Sequence, residues 1–239
     1  MLVSLILGAI AGFANIFGGM VAVRRNWPHH YLRYFISLGA GFMMAVALLD
    51  MFPESLRFTP RWAPALLLAG YCITHLIEHT ITPHFHVGEE THAEEFLHRH
   101  TGFSVLIGLS LHAIFDGVAI ASGFVVSHWL GWLIFIAIFL HKIPVGFTVA
   151  SVTLASGRSR TAAVLSASVL AATTILGVLA ISLIPSWVRV GLPVSAGVTM
   201  YVAATDLLPE VNREPGISMA LVFLLGVAIF LLIRLLAPV

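Results

Sequence analysis

The sequence has little charge and almost no cysteine. Only 10% of its 239 residues are charged, whereas soluble domains average about 25%. This scarcity excludes a soluble enzyme, a disordered tail and a nucleic-acid-binding protein, so we expect no nucleic acid partner. The one cysteine, Cys72, excludes an internal disulfide and a cysteine-based metal cluster.

Hydrophobic residues dominate instead. They make up 59% of the chain, and the mean hydropathy is +1.00. We therefore predict an all-α membrane protein with eight transmembrane helices of about 20 residues, the length that a bilayer core requires. The predicted spans are residues 2–23, 33–53, 63–80, 102–124, 129–153, 161–184, 188–208 and 216–236. The lipid bilayer is thus a predicted partner.

The charges that flank the spans predict their orientation. The first span has no basic residue before its apolar run and is followed directly by Arg24 and Arg25. This pattern is typical of a retained helix with an outer N-terminus rather than of a signal peptide. Arginines then favour a cytoplasmic position for the odd-numbered loops, and both termini lie outside. We expect a bacterial inner membrane, because the chain is compact and carries no targeting segment.

Two spans resemble each other in sequence. Residues 39–54 read GAGFMMAVALLDMFPE, and residues 195–210 read SAGVTMYVAATDLLPE. They are the second and seventh spans, so they cross the membrane in opposite directions, as in the inverted repeats of transporters. Small-residue helices can resemble each other by composition alone. The shared Asp, Pro and Glu favour a repeat.

The fourth and fifth spans form a second similar pair. Residues 111–122 read LHAIFDGVAIAS, and residues 140–151 read LHKIPVGFTVAS. We predict a single transmembrane domain with a 3+2+3 arrangement of helices. Its parts are inverted repeats over about 1–80 and 161–236, a central helix pair at 102–153 and a histidine-rich cytoplasmic loop at 81–101. This arrangement predicts a substrate site near the midplane.

Polar residues occur at the expected midplane. His112 lies ~15 Å into its span at 1.5 Å per residue, which is half of a hydrocarbon core of ~30 Å. Asp116 follows one turn later on the same face, and His141 reaches a similar depth in the next span. A charged residue here costs at least ~2.5–3.5 kcal/mol on insertion scales. The presence of Asp116 and Lys142 at this depth therefore needs an explanation.

Imidazole and carboxylate groups are zinc ligands. His112, Asp116 and His141 would form a three-ligand site with open positions for water, which suits an ion that must leave again. The alternative is an Asp116–Lys142 ion pair that only joins two helices. That alternative does not explain two histidines at the same level.

At these residues the chain resembles the ZIP family of divalent-metal transporters. The family's fourth span typically reads H-N-x-P-E-G, and residues 112–117 read HAIFDG. Its fifth span typically reads H-E/D-x-P-E/H-G/E, and residues 141–146 read HKIPVG. The L-P-E endings of the family's second and seventh spans resemble residues 50–54 and 197–210. The resemblance implies eight spans, the 3+2+3 arrangement and metal transport into the cytoplasm.

The sequence departs from the family where a second metal is often bound. The family's Asn is Ala113, its acid is Lys142 and its bridging Glu is Val145, and the sixth span has no acid. The resemblance then implies a single metal site, with the Lys142 ammonium in place of a second metal. We expect Lys142 to pair with Asp116 in the empty site. When metal enters, it would swing away or lose its proton.

Other histidines and acids give weaker predictions. The tract at 84–100 reads HFHVGEETHAEEFLHRH, and a metal trap and a solvated loop are equally open interpretations. Its candidate ligands are His84, His86, His98 and His100. His75, Glu78 and His79 match the H-x-x-E-H motif of zinc proteases, although a polar helix end explains them as well.

The leading functional prediction is a secondary transporter of Zn²⁺ or another divalent transition metal. His and carboxylate ligands discriminate weakly among Zn²⁺, Fe²⁺, Mn²⁺ and Cd²⁺. We expect no enzyme activity, no organic cofactor and no direct use of ATP, and a homodimer is an open alternative to a monomer. The alternatives are a non-transporting metal sensor, a carrier of another solute on the same fold and, more remotely, an intramembrane zinc hydrolase.

Overall fold

A computed structural model describes residues 1–24, 29–80, 101–209 and 217–236, with the side chains of 29–32 and 101–102 left out. Every regular element in these ranges is helical, as predicted. The helices are α1 (Leu2–Val23), α2 (His29–Val46), α3 (Phe52–Phe58), α4 (Ala63–Thr80), α5 (Thr101–Val126), α6 (His128–Ala155), α7 (Arg160–Leu183), α8 (Val188–Tyr201) and α9 (Ser218–Leu236). A 3-10 turn, Pro185–Trp187, precedes α8.

Seven helical segments of the described ranges are long and apolar enough to cross a membrane. They are Leu2–Val23, Arg33–Phe58, Phe103–Val126, His128–Ala155, Arg160–Leu183, Pro185–Leu207 and Ser218–Leu236. The chain is therefore a multi-pass membrane protein. The segment predicted at 63–80 forms helix α4, but His75, Glu78 and His79 lower its hydropathy. The eighth span stays a prediction.

A π-helical segment explains why the second span is longer than predicted. We expected it to end at residue 53, but helix α3 continues to Phe58. The segment Ala47–Met51 is π-helical, and the Phe52 amide bonds to the carbonyl of Ala47, five residues back. Pro53 follows this wider turn. Proline lacks the amide of a regular helix and crowds the turn before it, so the π turn accommodates Pro53 without ending the helix.

The seventh span repeats this construction. The segment Val202–Leu207 is π-helical, and the Leu208 amide bonds to the carbonyl of Ala203. Pro209 follows one residue later. Each D-x-x-P-E ending therefore begins inside a π-helical turn, which changes the direction of the Asp side chain relative to a regular α-helix.

Serine caps mark the starts of α6 and α7. The Ser127 hydroxyl accepts a hydrogen bond from the Leu130 amide at 3.1 Å and caps α6. The Ser159 hydroxyl accepts one from Ala162 at 3.2 Å and caps α7. Gly157, in the turn before α7, has a φ of +75°, which favours glycine. Both turns are therefore encoded locally.

Helix α6 lies at the centre of the bundle. It packs against α1, α2, α5 and α7. In its most apolar stretch of 18 residues 78% is buried, compared with 17% in the corresponding stretch of α9. Large apolar side chains instead face outward from peripheral helices, such as Phe13 on α1, Leu68 on α4 and Leu224 on α9. Such a surface suits lipid contact. The polar residues of α6 are thus held away from both lipid and water.

Glycines bring the central helices against their neighbours at backbone distance. A methyl group on Gly146 of α6 would overlap the Asn15 carbonyl of α1. A methyl group on Gly117 of α5 would likewise overlap the Thr174 carbonyl of α7. Close approach through small residues is how membrane helices gain packing energy. It also fixes the two helices that carry the predicted metal ligands.

Candidate metal centre

Helices α5 and α6 bring the predicted polar residues together. His112 and Asp116 lie one turn apart on α5, and His141 and Lys142 are adjacent on α6. All four side chains are at least 94% buried, since their exposed fractions are 6%, 1%, 0% and 0%. The contact between the two helices therefore creates a polar centre that neither helix contains alone.

One carboxylate oxygen is the focus of this centre. Asp116 Oδ2 lies 3.1 Å from His112 Nε2 and 3.4 Å from His141 Nε2. The two imidazole nitrogens are 3.3 Å apart. Ligand atoms at ~2.1 Å from a tetrahedral Zn²⁺ are about 3.4 Å from one another. The three potential ligands thus already have the spacing of one face of a zinc tetrahedron.

Hydrogen bonding favours a ligand orientation of His141. Its Nδ1 atom lies 3.3 Å from the carbonyl of Ala137, one turn earlier. A neutral imidazole that donates from Nδ1 to this carbonyl leaves the Nε2 lone pair directed at the centre. His112 Nδ1 has no hydrogen-bond partner among the described residues. In both histidines Nε2 is therefore the nitrogen that faces the centre.

Lys142, the chain's only lysine, is the cation of the centre. Its Nζ lies 2.7 Å from Asp116 Oδ2 and donates a hydrogen bond to Thr174 Oγ1 at 3.1 Å. The Asp116–Lys142 pair was one of the two interpretations of the sequence. In the structure it shares its carboxylate oxygen with both histidines, so the pair and the histidine cluster form one arrangement.

Sequence reasoning did not identify Thr174. This fully buried residue lies on α7, in the predicted sixth span that carries no acid. Its hydroxyl accepts from Lys142 and donates to the Leu170 carbonyl at 2.9 Å. The available signal was the adjacent pair of threonines in the middle of a largely apolar helix. The contact with Lys142 depends on how α7 packs, which the sequence pattern does not specify.

Two positions near the triad, where the ZIP family often has metal ligands, carry apolar side chains in this chain. Ala113 and Val145 are buried in one cluster with Val149, Ala167 and Leu170. These side chains offer no metal ligand. Within the described ranges, His112, Asp116 and His141 form the single group of three His, Cys, Asp or Glu side chains close enough to hold one ion.

The H-x-x-E-H residues form a different arrangement at the end of α4. The His75 and His79 rings lie 4.0 Å apart, and His75 Nδ1 is 3.4 Å from the Tyr201 hydroxyl. His75, Glu78 and His79 do not form a three-ligand group of the kind seen at the centre. The loop candidates form a separate set outside the described residues, namely His84, His86, His98 and His100.

Asp50 and Asp206 have different environments. In the sequence, these aspartates served only to mark the repeat. Asp50 Oδ1 lies 3.2 Å from Arg234 Nε, so it pairs with a cation of α9. Asp206 is 7% exposed and lies within hydrogen-bonding reach of the Glu78 carboxyl. The shared D-x-x-P-E ending was the signal that could have drawn attention to both.

The sequence model of the ZIP zinc transporter family matches residues 86–234, which include the whole centre. The chain belongs to the ZIP family of zinc transporters. The predicted family resemblance is therefore confirmed. Because this is a family of transporters rather than enzymes, the chain is not assigned to an enzyme class, and the hydrolase alternative loses its basis.

Individual relatives agree with the ZIP assignment. Zinc transporter ZIP9 of Micropogonias undulatus is 30% identical over 159 residues, which cover 61% of this chain and 50% of that protein. Zinc transporter ZIP9-A of Xenopus laevis is also 30% identical and is covered to 52% of its length. The chain thus spans about half the length of the curated relatives it matches. These relatives come from animals, and a bacterial inner membrane stays a prediction.

Proposed function

We propose that this ZIP family protein carries a divalent transition metal, with Zn²⁺ as the first candidate, across the membrane through one site formed by His112, Asp116 and His141. The observation that carries the proposal is the spacing of 3.1–3.4 Å among one carboxylate oxygen and two imidazole nitrogens. Three protein ligands leave one tetrahedral position open. An open position lets water or a new ligand enter as the ion leaves.

The substrate range follows from the ligand types. Imidazole and carboxylate groups bind Zn²⁺, Fe²⁺, Mn²⁺ and Cd²⁺ without sharp discrimination. The curated relatives are named as zinc transporters, and this supports Zn²⁺ as the leading member of the set. The transported metal is the substrate, and the proposal includes no organic cofactor.

Lys142 replaces a second metal ion in this proposal. Its ammonium group is 2.7 Å from Asp116, and the neighbouring Ala113 and Val145 provide no ligands. With neutral histidines, Asp116 and Lys142 cancel in charge, whereas an added divalent ion gives a net charge of +2. Two such cations ~4 Å apart repel by several kcal/mol even at an effective dielectric constant near 20. Metal entry therefore requires the ammonium to leave Asp116 or lose its proton.

The fold that moves the ion is proposed to be an inverted 3+2+3 repeat of eight spans, with α4 as the third. Helix pairing supports this. A methyl group on Gly41 would overlap the Phe223 carbonyl, and one on Gly197 would overlap the Leu67 carbonyl. The glycines differ by 197 − 41 = 156 in number, and the carbonyls by 223 − 67 = 156.

A second pair of contacts has the same offset. Gly70 lies against the Val194 carbonyl, and Gly226 lies against the Leu38 carbonyl. The differences are again 226 − 70 = 156 and 194 − 38 = 156. Contacts of α4 with α8 are thus repeated as contacts of α9 with α2. This reciprocity supports repeats over about 1–80 and 161–236 around the central pair, within a single transmembrane domain.

The proposed transport cycle is alternating access. The two repeats would expose the centre to one side and then to the other. We place both termini outside and the direction of flux into the cytoplasm, on the basis of the arginine distribution and the family resemblance. A homodimer stays a prediction.

Transport is tested in liposomes that contain a metal-sensitive dye. Reconstituted protein should admit Zn²⁺ and Cd²⁺, and His112→Ala and Asp116→Ala should reduce the flux at least tenfold, because each removes a ligand. His128→Ala is the matched control, since His128 is exposed at the start of α6 and lies outside the centre. Its flux should equal that of the wild type.

The same measurement decides the main alternative. The ion pair between Asp116 and Lys142 occupies the centre in this structure, as a non-transporting protein or a carrier of another solute would require. Folded wild-type protein with no flux above that of empty liposomes would overturn the transport proposal in favour of that alternative.

A further inference from the structure

The repeat-related ends of the bundle differ by one reversal of charge. Asp50 and Asp206 are equivalent positions, because 206 − 50 = 156, and Glu78 and Arg234 are equivalent because 234 − 78 = 156. Asp50 meets the cation of Arg234 at 3.2 Å. Asp206 instead meets the carboxyl group of Glu78. One end thus pairs acid with base, and the other pairs acid with acid.

The environment of Asp206 indicates a missing cation. Asp206 is 93% buried, and its Oδ1 atom has no hydrogen-bond partner in the described part of the chain. Glu78 lies within hydrogen-bonding reach of both Asp206 and the Tyr201 hydroxyl. Two carboxylates cannot both stay ionised at close range in a poorly solvated site unless a cation or a shared proton lies between them.

A small crevice lies between Glu78 and His112 of the central triad. It lies between α4 and α5, has room for about one water molecule, and has Thr74, Glu78 and His112 on its walls. Glu78 therefore faces both the crevice and Asp206. An ion that dissociates from His112 would meet the Glu78 carboxyl next.

Further donor atoms lie beside the acid pair. The Tyr201 hydroxyl is 3.4 Å from His75 Nδ1, and Asp206 lies in the π-helical segment Val202–Leu207. Single π-helical turns occur frequently at functional sites. The two carboxylates and the Tyr201 hydroxyl form a harder, more oxygen-rich ligand set than the central triad.

We propose that Glu78 and Asp206 form a second binding site for a divalent cation. At the opposite end of the bundle, Arg234, the residue equivalent to Glu78, supplies the positive charge beside Asp50. The choice of Zn²⁺ as the ion, and the role of the site as a step on its path, rest on the proposed function. The existence of the site does not. The charge reversal makes the two ends of the path chemically different.

The number of bound ions tests the site. The full chain is purified with His84, His86, His98 and His100 replaced by Ala, dialysed against Zn²⁺, and analysed for zinc per chain by mass spectrometry. His112→Ala with His141→Ala should remove the central ion and leave one. Asp206→Asn in that background should remove this remaining ion. Zinc that stays bound in Asp206→Asn would overturn the proposal.

The repeat supplies matched controls. Asp50→Asn, the equivalent change at the other end, should leave the zinc count unchanged, and an equal loss would overturn the proposal. Glu78→Arg should place a cation beside Asp206 and remove one ion while the central ion stays bound, which also shows that the variant is folded. Failure of the transport proposal would give a different result. The reconstituted wild-type protein would then show no flux, while the zinc counts of the variants would still follow the pattern described here.

Discussion

At the scale of single residues, the proposed transport depends on Asp116. Its Oδ2 atom is the neighbour of two imidazole nitrogens and one ammonium group, all within 3.4 Å. A buried carboxylate needs such partners, because an isolated charge in a poorly solvated region costs several kcal/mol. Lys142 supplies the counter-charge in the empty site. In the proposed site, a metal ion and the lysine therefore compete for one oxygen.

The competition predicts the effect of removing the lysine charge. Lys142→Met should lower the dissociation constant for Zn²⁺ at least tenfold, which corresponds to about 1.4 kcal/mol, because the ion then meets Asp116 without a competing cation. Isothermal titration calorimetry of the purified protein measures the change. Lys142→Arg keeps the charge and serves as the control. Equal affinities in the two variants would contradict the competition.

At the scale of elements, close helix packing positions the centre. Helix α6 carries His141 and Lys142, and its Gly146 lies against the Asn15 carbonyl of α1. Helix α5 carries His112 and Asp116, and its Gly117 lies in the same way against α7. Each of these helices is thus held against a neighbour within five residues of its candidate ligands. Small residues in these helices are part of the construction of the site.

Replacement of a packing glycine should therefore disturb both stability and metal binding. Gly146→Ala places a methyl group on the Asn15 carbonyl, and overpacking of this kind costs about 1–3 kcal/mol. We expect a lower melting temperature in a fluorescence-based thermal assay. Gly39→Ala is the matched control, because its methyl group would meet the nearest atom, Leu140 Cβ, at an ordinary 3.7 Å. Equal melting temperatures would show that α1 and α6 can separate without cost.

At the scale of the whole molecule, the two halves are similar in packing and opposite in one charge pair. The contacts of α2 with α9 have equivalents in those of α8 with α4, with a constant offset of 156 residues (223 − 67 = 226 − 70). The proposed inverted repeat suits alternating access, because each half could then adopt the conformation of the other. The Asp50–Arg234 pair and the Glu78–Asp206 pair break the symmetry at opposite ends.

The proposed orientation can be tested with the exposed turns around α6. In a Cys72→Ala background, His128→Cys should react with a membrane-impermeant maleimide added outside intact cells, because the proposed orientation places the turn before α6 outside. Arg158→Cys, in the turn before α7, should react only after the membrane is permeabilised. Both side chains are exposed in the structure. The reverse labelling pattern would place the N-terminus inside.

Much of this protein is determined locally in its sequence. Long apolar runs made the helices predictable, since each residue of a span must satisfy its backbone within the helix when no water is present. The spacing of His112 and Asp116 predicted that their side chains share one face, and α5 places them so. The D-x-x-P-E endings predicted that the second and seventh spans are related by an inverted repeat. The reciprocal glycine contacts support this prediction.

Only the tertiary structure decided which distant groups meet. The hydrogen bond from Lys142 to Thr174 joins residues 32 positions apart, and Asp206 meets Glu78 from another helix. Hydropathy and helical periodicity describe which face of a helix is apolar, but not which neighbour that face contacts or at what height. Those contacts follow from the close approach of whole helices at their glycines. The sequence therefore determined the apolar helices and the candidate ligands, and the packing decided which groups these ligands contact.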